Sequence, residues 1–128
     1  MSVAVPSLVA MAHTHHAFDY IELNVADLAA AKEFYGSAFG WSFNDYGSDY
    51  AGIRSPDGEG EVGGLNPARA PERGGPLVLL YSDDLDATVE AVRASGGEVV
   101  EGPYDFPGGR RFHFTDPSGN ELGVWAPA

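Results

Sequence analysis

Glu22, His113 and Glu121 are the side chains through which this sequence could do acid–base or metal chemistry. Burial penalises the charged form of a carboxylate and raises its pKa toward neutrality, so a partly buried glutamate beside an imidazole makes a usable acid–base pair. The same three groups could instead hold a divalent ion at an atypical site. The structural alternative is a carboxylate paired with Arg111 or bonded to a neighbouring strand, with His113 simply satisfied in a cleft wall. A second donor cluster, His13, His15 and His16, lies in a stretch with no hydrophobic period. Histidines without a fixing scaffold bind metal only adventitiously. The chain has no cysteine, which excludes disulfides, thiolate metal sites and cysteine nucleophiles. None of its 17 glycines forms a phosphate-cradling run that opens a helix, and Ser118 sits in a turn rather than at a strand-to-helix elbow.

Those candidates must be held by a small, acidic chain. Its 128 residues include 7 basic and 19 acidic side chains, for a net charge of −12. That charge repels phosphate backbones and anionic lipid, which argues against nucleic-acid or membrane partners and leaves neutral or cationic small molecules open. An apolar fraction of 44% suffices for a core without covalent staples. Pro6 breaks the apolar stretch over residues 3–11, which lacks a basic start, so neither a signal peptide nor a membrane span is expected and the chain reads as cytoplasmic. Residues 1–16 read as a flexible tail, with Met11 as an alternative start, ahead of a single domain over 17–128.

From Phe18 the pattern becomes regular. Ile21, Leu23 and Val25 alternate with Tyr20, Glu22 and Asn24, the period of a strand with two unlike faces. Asp27 then offers an N-cap, Leu28, Ala31, Phe34, Tyr35 and Ala38 follow at helical spacing, and Gly40 stands at the helix end. Short strands are predicted at 41–43, 50–53 and 61–66. The order recurs: a strand at 77–81, a cap at Asp84, a helix through Leu85, Val89 and Val92 stopped by Gly96-Gly97, then strands at 98–101, 110–115 and 121–125. Superposing Asp27-Leu28 on Asp84-Leu85 gives two βαβββ copies, about 18–66 and 77–126, joined by a Pro/Gly/Arg-rich linker over 67–76. Each copy is too small to stand well alone, so the two should share one α+β structure. Residues 102–109 read as either a semi-rigid lid or an ordinary hairpin connection.

Asn24-Val25-Ala26-Asp27-Leu28 followed by Phe34-Tyr35, then Phe39-Gly40-Trp41, and finally Phe114-Thr115-Asp116-Pro117-Ser118-Gly119-Asn120, resemble the glyoxalase/bleomycin resistance/dioxygenase family, the vicinal oxygen chelate superfamily. The resemblance spans roughly residues 18–125. It implies paired βαβββ modules curled around a cleft, usually in a homodimer, in proteins that are metal-dependent lyases, isomerases and dioxygenases or metal-free drug binders. It also implies a metal ligand on the first and last strand of each module. Those positions fall on Tyr20, Leu77 and Gly123, with the remaining one between Val62 and Asn66 and Glu61 just outside it. A divalent ion needs several donors within about 2.0–2.6 Å, and leucine and glycine offer none. The expectation is therefore no cofactor, with a divalent metal at an atypical site as the alternative.

Strand parity supplies a cleft lining independently. If Ile21, Leu23 and Val25 pack under the first helix, then Tyr20, Glu22 and Asn24 face the cleft. By the repeat, so do Leu77, Leu79 and Tyr81. Phe112, Phe114, Leu122 and Val124 suit the helix side, which turns Arg111, His113, Glu121, Gly123 and Trp125 inward. Trp125 beside Gly123 leaves room for a flat ligand to stack. This lining predicts a metal-independent binder of an aromatic or cationic small molecule, acting as a homodimer. The alternative is a divergent lyase, isomerase or dioxygenase built on Glu22, His113 and Glu121. A purely structural role would require Tyr20, Leu77 and Trp125 to close the cleft.

Overall fold

Asp27 and Asp84 each begin a helix by the same local device. Both are in extended backbone, and each carboxylate accepts a hydrogen bond from the N–H three residues on, Ala30 at 3.0 Å and Ala87 at 3.1 Å. Such a cap contributes about 1 kcal/mol. In the computed structural model, which describes residues 13–128, these caps open α1 (Leu28–Phe39) and α2 (Leu85–Ala94). Gly40 ends α1 in the left-handed region at φ 73°, as its position in the sequence predicts. Most of the expected tail, including Met11, lies outside the described residues. Within them, His13 pairs with exposed Asp19, and the His15 and His16 rings stack.

Around the helices run β1 (Ile21–Asn24), β2 (Phe43–Asp45), β3 (Ala51–Arg54), β4 (Glu61–Asn66), β5 (Leu79–Tyr81), β6 (Glu98–Phe106), β7 (Gly109–Thr115) and β8 (Glu121–Pro127). They form two four-stranded sheets of the same topology, β1-β4-β3-β2 and β5-β8-β7-β6, each with one parallel pair, β1 with β4 and β5 with β8. The two copies of βαβββ are thus both present. Trp41, expected to begin a strand, instead stacks on Tyr35 with ring centroids 4.5 Å apart, and β2 starts two residues later. Residues 102–109 are no lid. They extend β6 beyond the expected 98–101 and turn directly into β7 as a hairpin.

Both helices sit on one side of the sheets and share a core. Phe34 and Tyr35 of α1 are buried with Val89 and Val92 of α2 and with Phe112, Phe114, Leu122 and Val124 of the second sheet. Burial of each such side chain contributes about 1.5–3 kcal/mol. Gly97 permits the approach of the two units, because a Cβ there would meet Phe34 and Val92 at 2.8 Å.

A second set of contacts ties the β7–β8 turn to the first unit. Asp116 accepts a hydrogen bond from the buried Tyr35 hydroxyl at 2.8 Å, Ser118 Oγ accepts from Ala26 N–H at 2.8 Å, and Asn120 Nδ2 donates to the Asn24 carbonyl at 2.6 Å. The Asp-Pro-Ser-Gly-Asn turn therefore holds the corner where β1 leads into α1.

Candidate functional site

With most apolar residues of each sheet packed against the helices, alternation turns the polar residues to the opposite, open face, but Ile21, expected under the first helix, is exposed. On the first sheet this face carries a network of tyrosines and carboxylates. Tyr50 donates to Glu22 Oε1 at 3.0 Å, Asn66 Nδ2 donates to Glu22 Oε2 at 2.9 Å, and the Tyr20 and Tyr50 hydroxyls lie 2.6 Å apart. Glu61 accepts from Asn44 at 3.0 Å, from Tyr20 at 3.3 Å and from Tyr46. Hydrogen bonds from Tyr46, then Asn44, hold the Glu61 carboxyl below its ordinary range, because donors favour the charged form. Burial first, and then bonding to Tyr20 and Glu22, pushes the Tyr50 hydroxyl well up. Burial likewise raises Tyr20. These phenols stay neutral donors at physiological pH.

The second sheet is different in character. His113 is buried between two partners, Glu121 Oε2 at 2.9 Å from its Nδ1 and the Tyr104 hydroxyl at 2.9 Å from its Nε2. Arg73, from the linker, donates to the other Glu121 oxygen at 2.9 Å. Bonds from His113 and then Arg73 lower the Glu121 pKa. An ionised Glu121 can only accept, so the His113 Nδ1–H donates to it, and in that neutral tautomer Nε2 is the acceptor for the Tyr104 hydroxyl. Arg111, expected as a carboxylate partner, instead directs its Nε–H at the Tyr104 oxygen. The carboxylate pairing falls to Arg73, which sequence position alone did not indicate.

Between the free edges of β1 and β5 lies a cleft of about 810 Å³. Tyr20, Glu22, Asn24, Leu77, Leu79, His113 and Glu121 all line it, together with Phe18 and residues 74–76. Tyr81, Arg111, Gly123 and Trp125 are not among its lining residues. Arg111 stands opposite Trp125 and Trp125 opposite Tyr81 across the strands of the second sheet, and Gly123 lies under Leu79 and His113. Glu22, His113 and Glu121 thus share a cleft, but Glu22 belongs to one hydrogen-bond network and the other two to another. Tyr46, Tyr50, Glu61 and Tyr104 belong to the two networks without lining the cleft, and they are not among the site residues expected from the sequence. Only Glu61 lay near a position that the resemblance had marked.

Strand pairing also resolves the uncertain register of the first unit. Glu22 lies opposite Gly64 as Leu79 lies opposite Gly123, so the last-strand positions are both glycine. The space over Gly64 is filled by the Tyr50 and Tyr20 hydroxyls, and that over Gly123 by Leu79. The four positions at which the resemblance places metal ligands, Tyr20, Gly64, Leu77 and Gly123, therefore contribute one phenol and no carboxylate or imidazole. This donor set does not fit the metal of the family. Among the described residues no cluster of three or more His, Cys, Asp or Glu converges as a metal site.

Two βαβββ units, packed helix to helix and opening a cleft between their first strands, define a paired-module fold. The chain belongs to the Glyoxalase/Bleomycin resistance protein/Dioxygenase superfamily, whose profile residues 17–124 match. It is 34% identical over 115 residues to CFP32 of Mycobacterium tuberculosis, a match covering 84% of this chain and 44% of that protein. It is 32% identical over 124 residues to the anthracycline biosynthesis protein DnrV of Streptomyces peucetius, covering 83% of this chain and 45% of DnrV. The chain thus spans less than half the length of these curated relatives. Among solved structures, the antibiotic binding protein TnmS3 from Streptomyces sp. CB03234 superposes with a TM-score of 0.65 at 25% identity, covering 91% of this chain and all of TnmS3.

Proposed function

We propose that this chain binds a small aromatic or cationic organic molecule in the cleft between β1 and β5, without a metal. The observation that carries the reading is the cleft itself: about 810 Å³, of the size that encloses a drug-like molecule, with apolar walls and a few fixed polar groups. Its acidic side chains and the net charge of −12 favour a cation. The lack of any carboxylate or imidazole at the family's ligand positions supports metal independence, and the likeness to an antibiotic binder supports a binding role. The working form is a homodimer in the cytoplasm. The second copy rests on the resemblance to the family, since the exposed Phe18, Ile21, Leu77 and Leu79 line the cleft itself. Among the described residues no helix is long and apolar enough to cross a membrane.

The second reading is a lyase, isomerase or dioxygenase with an atypical metal site, favoured by His113 and Glu121 being bonded to each other in the same cleft as Glu22. Thermal shift and elemental analysis of the full-length protein with His13, His15 and His16 replaced by alanine separate the two. Binding predicts stabilisation by cationic or aromatic compounds in the presence of chelator, since a ligand of the native state raises stability by mass action. Near-stoichiometric metal, with a Ni²⁺, Zn²⁺, Fe²⁺ or Mn²⁺ shift that Glu22→Ala abolishes, would establish the enzyme reading instead.

A further inference from the structure

Arg111 is a half-buried cation in a strongly acidic chain, yet among the described residues it makes no ion pair. Arg73, Arg93 and Arg110 have carboxylate partners, and Arg54 and Arg69, which like Arg111 make no ion pair among the described residues, are exposed. Arg111 is held by contacts that fix its plane without neutralising it. Its Nε–H is directed at the Tyr104 hydroxyl, and its guanidinium carbon lies 5.5 Å from the Tyr104 ring centroid and 5.4 Å from that of Phe106. Across the ladder stands Trp125, which meets Tyr81 edge-on at 5.4 Å and Phe106 at 6.3 Å. A desolvated charge without a counter-charge is costly, and the sequence has acidic residues to spare that do not reach it.

Resting on the small-molecule reading above but outside its cleft, we infer that the open face of the second sheet takes a planar aromatic molecule bearing an acidic oxygen, a carboxylate or acidic phenol. The anion lies on the Arg111 guanidinium and the ring against Trp125 and Tyr81. With Nε engaged, the terminal N–H groups of Arg111 still present a planar fork suited to two oxygens. Tyr81 is more than half exposed, so the aromatic wall is open to solvent. The first sheet would reject the same group, since Glu22 and Glu61 would repel it. On the second sheet the neighbouring carboxylate, Glu121, is already held by His113 and Arg73.

Calorimetry on the full-length protein with three probes of one size tests this: 1-hydroxy-2-naphthoate, the neutral 2-naphthalenemethanol and the cationic 2-naphthylmethylammonium. The naphthoate is expected to bind more tightly than the alcohol, and the ammonium, which the β1–β5 cleft favours, to bind alike in wild type and Arg111→Gln. Arg111→Gln should weaken the naphthoate at least about tenfold, the usual effect of losing a charge-assisted hydrogen bond, and leave the alcohol unchanged. Raising NaCl from about 50 to about 500 mM should weaken the acid and leave the neutral alcohol unchanged. Arg111→Lys, which keeps charge but loses the fork, should fall between, and it stands in if the glutamine variant does not fold. The inference is overturned if the alcohol binds as tightly as the acid, if Arg111→Gln weakens the ammonium as much as the acid, or if both Arg111 variants bind the acid like wild type. Binding of none of the three probes would overturn it together with the small-molecule reading.

Discussion

Replacing Tyr35 by phenylalanine deletes one oxygen atom and, with it, the hydrogen bond that joins the first helix to the last turn of the chain. Tyr35 is fully buried and Asp116 nearly so, and their oxygens are 2.8 Å apart. Burial, then the neighbouring Asp116 charge, pushes the Tyr35 hydroxyl far above its ordinary range, so it remains a donor at any pH at which the protein is folded. A hydrogen bond to a charged partner contributes about 1.5–3 kcal/mol. The loss should sit toward the lower end, about 1.5–2 kcal/mol, because Asp116 still accepts from Ser118 N–H, Asn120 N–H and Asn120 Nδ2 and is not left bare. Asp116→Asn is the harsher change. An amide would present its own N–H₂ group to at least one of these donors, for a loss of about 3 kcal/mol or more. Urea unfolding at pH 7 measures both, and the lower loss corresponds to a fall in Tm of several degrees for a chain of this size. A Tyr35→Phe loss below about 0.5 kcal/mol, or an Asp116→Asn loss no greater than that of Tyr35→Phe, would refute the view that this bond clamps the two units.

Glu61 and Glu121 both have folded pKa values below the unfolded carboxyl value of about 4.3. Their contribution is complete above that value and is lost as pH falls through the folded ones. The urea midpoint should therefore drop as pH is taken from about 5 to about 3, and drop less steeply in a Glu61→Gln/Glu121→Gln variant; parallel curves would show that the hydrogen bonds do not matter. Gly109→Ala should be far more damaging than Gly123→Ala, because its Cβ would lie 2.0 Å from the Ala126 carbonyl oxygen, whereas at Gly123 the nearest atom, at 2.6 Å, is the movable end of Leu79. Soluble yield and Tm compare them, with a cost of about 1–3 kcal/mol expected at Gly123 and more at Gly109. Alanine at His13, His15 and His16 should abolish retention on immobilised nickel without changing Tm, since the histidines are exposed and lie outside the core; persistent retention would locate a metal site elsewhere.

The fold was legible because it is written in local signals that nothing overrides. The aspartate caps, the glycine stop at Gly40 and the matching of Asp27 to Asp84 identified both units. Phe112, Phe114, Leu122 and Val124 are buried on the helix side as strand parity required. Trp41 was misplaced because its alternation resembles a strand, whereas a ring-stacking partner on α1 claims it. The networks were less legible than the backbone. Glu61 meets Tyr46, Asn44 and Tyr20 only through the pairing of four strands, and Arg73 reaches Glu121 from 48 positions away. Tyr104 was hidden for another reason: register shifts along β6 break the strand parity that would have placed it.

That failure has a consequence for how the lining can change. From Glu101 to Tyr104 the strand β6 advances three residues while β7 moves from His113 to Arg111, only two. In an unbulged ladder Pro103 would stand opposite Arg111, and Tyr104 opposite Arg110 on the helix side. Gly102, at φ 83° and with its Cβ position 2.8 Å from the Arg111 carbonyl, makes the extra residue possible. β6 is an edge strand with a single neighbour. Lengthening or shortening it by one residue would exchange the chemistry presented beside His113 and Arg111 while β7, β8 and the core beneath keep their register. Variation by insertion and deletion along one hairpin arm, rather than by substitution, is thus a route open to this chain for acquiring a different ligand.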